Sequence, residues 1–224
     1  KPWGTVTKRG YLTDIQTFFN WCAFEKVIQE NPAETIRKPK LTKEERAERE
    51  DRKEILTVEE TEKLMRLCVE TCPQLTPRVA ILLFAGVRPD EEGKGVVMDD
   101  IDFDDRLLLI KGQHAKDRHR RYIPMTDNLI AWLKWSFENG YTLPITNWKR
   151  LWNDLRKAAN LFKENWPRDA HRHSFASYHL AFHSEKETEK AMGHGTTAMM
   201  YQHYRTLVKP SEGRNYFNVY PKSN

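Results

Sequence analysis

A run of charged residues divides this 224-residue chain into a short part and a long part. From residue 37 to residue 54 almost every side chain is charged. So polar a stretch cannot supply a hydrophobic core, and it is expected to form a linker or a solvated helix. We therefore predict a small unit at residues 1–40, a charged linker at 41–56 and a larger unit at 57–224.

The short part carries two helix signals. Apolar residues recur with helical spacing near its start, which predicts an amphipathic helix over about residues 8–24. Asn31, Pro32 and Glu34 then follow in the order of a helix start: an Asn cap, a Pro at the first position and an acid three residues after the cap. A second helix is therefore predicted to begin at residue 31.

The long part is dominated by helical patterns. Thr57 and Glu60 form a capping-box pattern, and the apolar run from Val79 to Phe84 predicts a buried helix that ends near Gly86. Later helices are predicted, between Gly and Pro breaks, at about residues 127–138, 147–159, 170–183 and 196–205.

One segment of the long part has a strand pattern instead. Short apolar runs at 107–110 and 121–123 flank Gly112 and a polar tip, which predicts a β-hairpin. The expected fold class is therefore mainly α with a small antiparallel β-sheet.

The same hairpin holds the clearest charge asymmetry. The chain has a net charge of +5, which permits nucleic-acid binding without demonstrating it. Between residues 106 and 124 six basic side chains accompany one acidic side chain, so this stretch alone carries the whole-chain excess. Such a cluster suits a phosphate-binding surface, because neutralising phosphates releases counterions. A solvated charged hairpin is the alternative. The six basic residues are Arg106, Lys111, Lys116, Arg118, Arg120 and Arg121.

The three cysteines indicate a reducing compartment. Cys22, Cys68 and Cys72 form no disulfide framework, which favours a cytoplasmic location. Cys68 and Cys72 are spaced to share one helix face, but no histidine pair lies near them, so core packing is favoured over a zinc site. No apolar run is long enough for a membrane span, so we expect no membrane association and no metal. The chain begins in mid-pattern at Lys1, so we expect it to be a piece of a longer protein.

Four segments each bring a side chain that can bind phosphate to the edge of a predicted element. Taken alone, each has a structural explanation, such as a surface Arg or Lys, a core His or a packed Tyr. The segments are Gly86-Val87-Arg88-Pro89-Asp90-Glu91 after the apolar helix, Lys116 at the hairpin tip, Asp169-Ala170-His171-Arg172-His173 at a helix start, and Gly193-His194 with Tyr204 ten residues later.

Taken together and in this order, the four segments resemble the phage-integrase family of tyrosine site-specific recombinases. That family has an Arg in a Gly-x-Arg-x-x-Glu turn, a Lys in a β-hairpin, a His-x-x-Arg-His box and a Gly-His followed by a Tyr. The resemblance covers about residues 57–210 and implies the family's catalytic-domain fold. It extends more weakly to residues 8–40, where Phe18-Phe19-Asn20-Trp21 resembles the end of the family's helical core-binding domain.

The resemblance implies a set of site residues and a reaction. Double-stranded DNA would be cut and rejoined through a 3′-phosphotyrosyl intermediate, with no cofactor, metal or ATP. The implied partners are DNA and a homotetramer on paired sites, although the free chain could be monomeric. The implied catalytic residues are Arg88, Lys116, Arg172, His194 and the nucleophile Tyr204; Glu91 is placed to orient a guanidinium, His173 is supporting, and Lys111, Arg118, Arg120 and Arg121 would contact DNA.

Two choices remain within this interpretation. Tyr204 fits the family interval better than Tyr201, which stands seven residues past His194. Asp169 stands where the family's His-x-x-Arg-His box has its first His. His171 stands where the family usually has a Leu before the Arg. An ionised Asp cannot donate to a phosphate oxygen and repels it, so either Asp169 orients a neighbour such as Arg172 or activity is reduced.

Three rival functions stay open at this stage. A type IB topoisomerase shares the same catalytic set but relaxes supercoils without exchanging partners. A DNA-binding module that has lost catalysis would explain Asp169. An RNA-binding protein would use the basic patch and the aromatic residues without forming a covalent adduct. The tail after Pro210 is apolar enough to pack in cis or on a neighbouring protomer.

Overall fold

The structure, a computed structural model, forms two compact units, Lys1–Arg52 and Lys53–Asn224. The division falls inside the charged stretch. The assignment of the first unit to a core-binding domain remains a prediction. The structure describes residues 3–50, 55–116, 118–160, 166, 169–193 and 208–222.

The described residues of the first unit form two helices, α1 at Thr5–Phe24 and α2 at Lys43–Glu50. The predicted helix at 8–24 is confirmed by α1. Part of the charged stretch, predicted to be a linker or a solvated helix, is therefore helical. Its start is capped reciprocally, because the Thr42 N–H donates to Glu45 (3.0 Å) and the Glu45 N–H donates to the Thr42 hydroxyl (3.1 Å).

The predicted helix start at residue 31 is wrong. The Asn31 side chain accepts a hydrogen bond from the Ala33 N–H (2.7 Å), as a cap would, but the chain turns there and does not continue as a helix. The amide of Asn31 donates instead to the Gln16 carbonyl (3.1 Å) and to the Asn20 side chain (2.7 Å), both on α1. This asparagine therefore fastens a turn against α1.

The second unit is built mainly of helices. The predicted segments at 127–138, 147–159 and 170–183 are confirmed to within a few residues, whereas the predicted helix at 196–205 lies outside the described residues. In the part of this unit that the structure describes, the helices are α3 Val58–Thr71, α4 Thr76–Phe84, α5 Glu92–Gly95, α6 Asp127–Glu138, α7 Trp148–Ala158, α8 Ala170–Leu180, α9 Glu185–Met192 and α10 Pro210–Phe217.

Helix α4 is the centre of the core. All nine of its residues are buried, and α3, α6 and α8 pack around it. The chain then turns at Gly86, whose φ of +62° lies in the left-handed region that favours glycine. A Cβ at Gly86 would also lie 2.3 Å from the ring of Phe175 on α8, so glycine allows this turn to approach α8 closely.

Helix α3 begins as its sequence predicts. The Thr57 N–H donates to the Glu60 carboxylate (2.8 Å), and the Glu60 N–H donates to the Thr57 hydroxyl (3.2 Å), which confirms the capping box. Farther along, Cys68 and Cys72 are buried in the core. Among the described residues no group of three or more His, Cys, Asp or Glu side chains is arranged to hold a metal ion.

A small antiparallel sheet has the strand order β1-β2-β3, with β1 at Ile101–Asp102, β2 at Leu107–Ile110 and β3 at Arg121–Pro124. Strands β2 and β3 confirm the predicted hairpin, with Ile110 paired to Arg121. Strand β1 was not predicted, because two residues are too few to show an alternating pattern. The fold class, mainly α with a small antiparallel sheet, is confirmed.

The C-terminal helix α10 packs in cis within the second unit. Tyr216 is fully buried, its ring stacks on Tyr178 with the centroids 4.2 Å apart, and its hydroxyl donates to the Leu83 carbonyl on α4 (2.7 Å). Within the described part of the chain, no helix combines the length and the apolar character needed to cross a membrane.

Candidate active site

A buried carboxylate, Glu92, gathers three guanidinium groups. Arg121 donates two parallel hydrogen bonds to it, of 3.0 and 2.9 Å. Arg88 donates from its side chain (2.9 Å) and from its backbone N–H (2.8 Å), and Arg172 Nη1 lies 3.8 Å from Glu92 Oε2. Glu92 is 1% exposed, so these partners replace the water that an ionised carboxylate would otherwise need. We call these four residues the arginine cluster.

The local sequence explains how Arg88 reaches Glu92. Gly86 ends the run of α4, Pro89 prevents the helix from continuing, and Glu92 opens α5 four residues after Arg88. The side chain of Arg88 keeps 24% of its surface exposed. It can therefore hold Glu92 with some of its N–H groups and present others to solvent.

Arg172 joins the ends of two helices. Its guanidinium donates to the carbonyl of Gly86, just past the end of α4, and to the carbonyl of Met192, the last residue of α9. Carbonyls at helix C-termini lack partners inside the helix and carry partial negative charge, so a cation is favoured there. These contacts hold Arg172 in the same cluster as Arg88.

Glu91 was predicted to orient a guanidinium, but the carboxylate that the structure pairs with the guanidiniums is that of its neighbour Glu92. Glu91 is exposed, whereas Glu92 is buried against the guanidiniums. Burial by itself raises the pKa of Glu92, but the hydrogen bonds and charge of Arg121, with Arg88 and Arg172, hold that pKa below its ordinary value. The available sequence signal was the spacing of four from Arg88, which suits an ion pair across one helical turn.

Lys116 lies at the tip of the loop between β2 and β3. Ala115 is buried and anchors the loop, the Arg118 N–H donates to the Ala115 carbonyl (3.0 Å), and Lys116 is exposed between them. An exposed ammonium on a flexible stem at a loop tip suits a group that must reach a DNA strand.

The residues predicted to contact DNA separate into two groups. Arg118 and Arg120 are exposed. The side chain of Lys111 is 40% exposed, and its ammonium pairs with Asp100 at 2.9 Å. A DNA contact by these three residues stays a prediction. Arg121 differs from these three, because only 12% of its side chain is exposed and it is bound to Glu92; a DNA contact for Arg121 also stays a prediction.

The box residues around Arg172 have different environments. Asp169 is exposed and caps α8 in the left-handed region (φ +53°), and its carbonyl accepts a hydrogen bond from the His173 N–H (3.0 Å). His171 is buried with its ring centroid 5.2 Å from that of Trp152 and 5.1 Å from that of Trp166. His173 is half-buried.

The neutral ring of His171 packs in the core as an apolar side chain would. Among the described residues neither of its ring nitrogens has a hydrogen-bond partner. Burial, aided by the charge of Arg78, lowers the pKa of His171 to about 3, so the ring is neutral near pH 7. It therefore cannot supply the charged donor that Asp169 lacks.

Replacing His171 by Leu is expected to raise the free energy of unfolding at pH 7 by about 1 kcal/mol, since two unsatisfied polar atoms leave the core. Urea unfolding checks this, with His119→Leu at an exposed position as the control. A loss of stability in His171→Leu would show that the imidazole makes a contact that Leu cannot replace.

Stability is also expected to fall in acid. Burial, with a contribution from the charge of His183, lowers the pKa of His179 to about 3, as it does for His171. Below about pH 6.5 the unfolded chain takes up protons at both histidines while the folded chain does not. The contribution of the two neutral histidines to the free energy of unfolding is therefore fully present above pH 6.5. It is lost as the pH falls towards 3, at up to about 1.4 kcal/mol per pH unit for each histidine. Urea titrations at pH 7 and pH 5 should show a smaller loss in His171→Leu; an equal loss would mean that His171 titrates normally.

The remaining predicted catalytic residues, His194 and Tyr204, lie outside the described residues, as does the alternative nucleophile Tyr201. Two other tyrosines are unsuited to nucleophilic attack. Tyr178 and Tyr216 are buried, and their hydroxyls donate to backbone carbonyls at 3.0 and 2.7 Å. Burial raises the pKa of each.

Comparison with known proteins identifies the family. The model of the family described as "Phage integrase family" matches residues 54–209, which is more than half of the chain. This chain belongs to the phage integrase family. The predicted resemblance is thereby confirmed.

Curated relatives of this family member are tyrosine recombinases. It is 32% identical over 126 residues to tyrosine recombinase XerC of Chlamydia pneumoniae, a match that covers 55% of this chain and 37% of that protein. It is 28% identical over 210 residues to a tyrosine recombinase of Thermosipho africanus, covering 86% and 70%. The chain thus spans little more than a third of the Chlamydia relative's length.

Solved structures share the fold of this family member. A lambda integrase dimer bound to a COC′ core site matches with a TM-score of 0.65 and 18% identity, over 92% of this chain and 62% of that one. XerA recombinase matches with a TM-score of 0.57 and 18% identity, over 95% and 84%. The predicted catalytic-domain fold of the family is confirmed.

Proposed function

We propose that this chain is the catalytic part of a site-specific DNA recombinase that cuts and rejoins strands through a 3′-phosphotyrosyl intermediate. The arginine cluster carries the proposal, because it brings Arg88 and Arg172 together on one buried carboxylate. Two fixed guanidiniums are suited to the charge that develops on a phosphate during transfer.

The reaction would proceed by one displacement and its reversal. The Tyr204 hydroxyl gives its proton to water as it attacks the scissile phosphorus. A new bond forms between the tyrosine oxygen and phosphorus, and the bond from phosphorus to the 5′ oxygen breaks. Lys116 gives a proton to that leaving oxygen. The 5′-hydroxyl of a second strand then attacks the phosphotyrosine and returns its proton to Lys116. The tyrosine oxygen leaves and takes a proton from water, so the strand is resealed without ATP.

The cluster would supply the stabilisation of the transition state. Arg88 and Arg172 donate to the non-bridging oxygens, and His194 adds a further hydrogen bond. Loss of one such donor typically costs about 3–4 kcal/mol in activation free energy. Because 24% of the Arg88 side chain is exposed, its N–H groups that do not bind Glu92 can reach the phosphate.

The proposed partner is double-stranded DNA in the bacterial cytoplasm or nucleoid. The exposed Lys116, Arg118 and Arg120 favour it, and the structural relatives include recombinases bound to DNA, such as the Tn1549 transposon integrase with circular intermediate DNA. A homotetramer on paired sites would perform strand exchange, with a monomer as the free form. The exposed Asp169 favours a second candidate, a catalytically impaired DNA-binding module on the same fold.

A nicked suicide substrate from the ends of the encoding element tests the proposal. With EDTA present, the labelled strand should shift to a protein–DNA band on a denaturing gel. Absence of that band on DNA that the protein demonstrably binds would favour the impaired binding module. A second duplex with a free 5′-hydroxyl should accept the strand. Relaxation of supercoiled plasmid without transfer to that duplex would favour the topoisomerase alternative.

A further inference from the structure

We propose that Arg121 is a positioning residue for strand cleavage. It would act through Glu92 on Arg88 and Arg172 and hold them in register with the hairpin that carries Lys116. The inference rests on the proposed recombinase function and adds to it a role for a residue of the basic hairpin.

Three nitrogens of Arg121 have partners inside the protein. Nη1 and Nη2 donate to the two oxygens of Glu92 at 3.0 and 2.9 Å, and Nε donates to the Ala191 carbonyl at 3.2 Å. A planar guanidinium binds a carboxylate through two parallel bonds, which fixes orientation as well as distance. Because Glu92 is fully enclosed, the orientation of its carboxylate depends on this pair.

Arg121 connects three parts of the second unit. It is the first residue of β3, where it pairs with Ile110 of β2, and the loop between these strands carries Lys116. Its contact at Ala191 lies one residue before Met192, whose carbonyl accepts from Arg172. The side chain of Arg121 thus links the β2–β3 hairpin, which carries Lys116, to the other residues of the arginine cluster and to the end of α9.

The glycine of the Gly-His motif makes room for this arrangement. Gly193 has a φ of +60° at the end of α9. A Cβ at this position would lie 2.8 Å from Cζ of Arg121, closer than non-bonded atoms allow. Glycine therefore favours this backbone conformation and lets the guanidinium approach without moving.

A direct phosphate contact would disrupt this arrangement. To reach DNA, Arg121 would have to release Glu92 and leave that carboxylate buried with a partner missing. Removing one partner from a buried ion pair is strongly unfavourable. The neighbouring Arg120 is exposed and has no such cost, so it suits the DNA-contact role better.

The test compares Arg121→Lys with Arg66→Lys as a control, because Arg66 is an exposed arginine on α3 that lies outside the predicted site. Lysine keeps the charge of Arg121 but cannot form the two parallel bonds to Glu92. In single-turnover cleavage at saturating DNA, Arg121→Lys should be slower by about 10- to 100-fold, the effect of a small displacement of catalytic groups. Its affinity for DNA should stay unchanged. Arg66→Lys should cleave at the parent rate.

A methylphosphonate at the scissile position separates positioning from a general loss of structure. This linkage lacks one anionic oxygen, so its transition state depends less on the arginines. The rate defect of Arg121→Lys should therefore shrink to a few-fold on the methylphosphonate. The ratio of the two defects does not depend on the folded fraction of the variant, because both rates come from the same sample.

Three results would overturn the inference while the parent still cleaves. The first is an equal defect on phosphate and methylphosphonate, which indicates a structural role alone. The second is a weaker DNA affinity with a normal rate at saturation, which indicates a DNA contact. The third is no defect in Arg121→Lys. Failure of the parent to cleave either substrate would instead count against the proposed function.

Discussion

Replacing Tyr204 by Phe is expected to abolish the covalent protein–DNA band on the nicked substrate. The phenol oxygen is the atom that forms the new bond to phosphorus, and phenylalanine has no oxygen to take its place. DNA binding should persist, because a single hydroxyl contributes little beside the phosphate contacts of the basic residues. The measurement is the band on a denaturing gel beside a binding titration of the same sample.

Tyr201→Phe is the matched control, three residues away in the same segment. It should keep the covalent band, because Tyr201 stands seven residues after His194 and Tyr204 stands ten. The opposite pattern, with the band lost only in Tyr201→Phe, would move the nucleophile to Tyr201 without changing the proposed chemistry. A band that survives both substitutions and their combination would rule out a nucleophile in this segment.

Replacing Glu92 by Gln is expected to have the second-largest effect. Arg121 would lose its charged partner while largely buried, and breaking a buried ion pair in this way typically costs about 3–5 kcal/mol of folding free energy. Cleavage should also fall by about 100-fold, because Arg88 and Arg172 lose the carboxylate that aligns them. Urea unfolding and single-turnover cleavage measure the two effects separately.

The adjacent Glu91→Gln provides the control, since Glu91 is exposed. A surface substitution of this kind usually changes stability by less than about 0.5 kcal/mol. If Glu91→Gln were the more damaging variant, Glu91 would be the aligning carboxylate, as the family spacing predicts. If neither variant lost activity, the arrangement of the arginine cluster would not control cleavage.

The apolar patterns of the sequence predict the central part of this fold. The run from Val79 to Phe84 is apolar because α4 is buried on every side, and the runs of β2 and β3 alternate between the core and solvent. The helices α9 and α10 were not among the predicted segments. The first is mostly charged and the second contains Pro and Gly, so neither shows a clear apolar period.

The candidate site is predictable in its residue types but not in its pairings. Glu91 and Glu92 are neighbours, as are Arg120 and Arg121, and in each pair one residue is exposed and the other is largely buried. Composition and charge are the same for both members. The choice depends on which backbone position faces the core, and sequence spacing fixes that only within long regular elements.

The arginine cluster has a consequence for the order in which the protein gains its activity. Its contacts draw on residues from Gly86 to Met192, so the cluster requires segments that leave the ribosome far apart in time. A nascent chain that has completed the basic hairpin but not α9 already holds DNA-attracting charge without an aligned pair of arginines. Under the proposed function, an unfinished or truncated chain would therefore bind DNA without cleaving it.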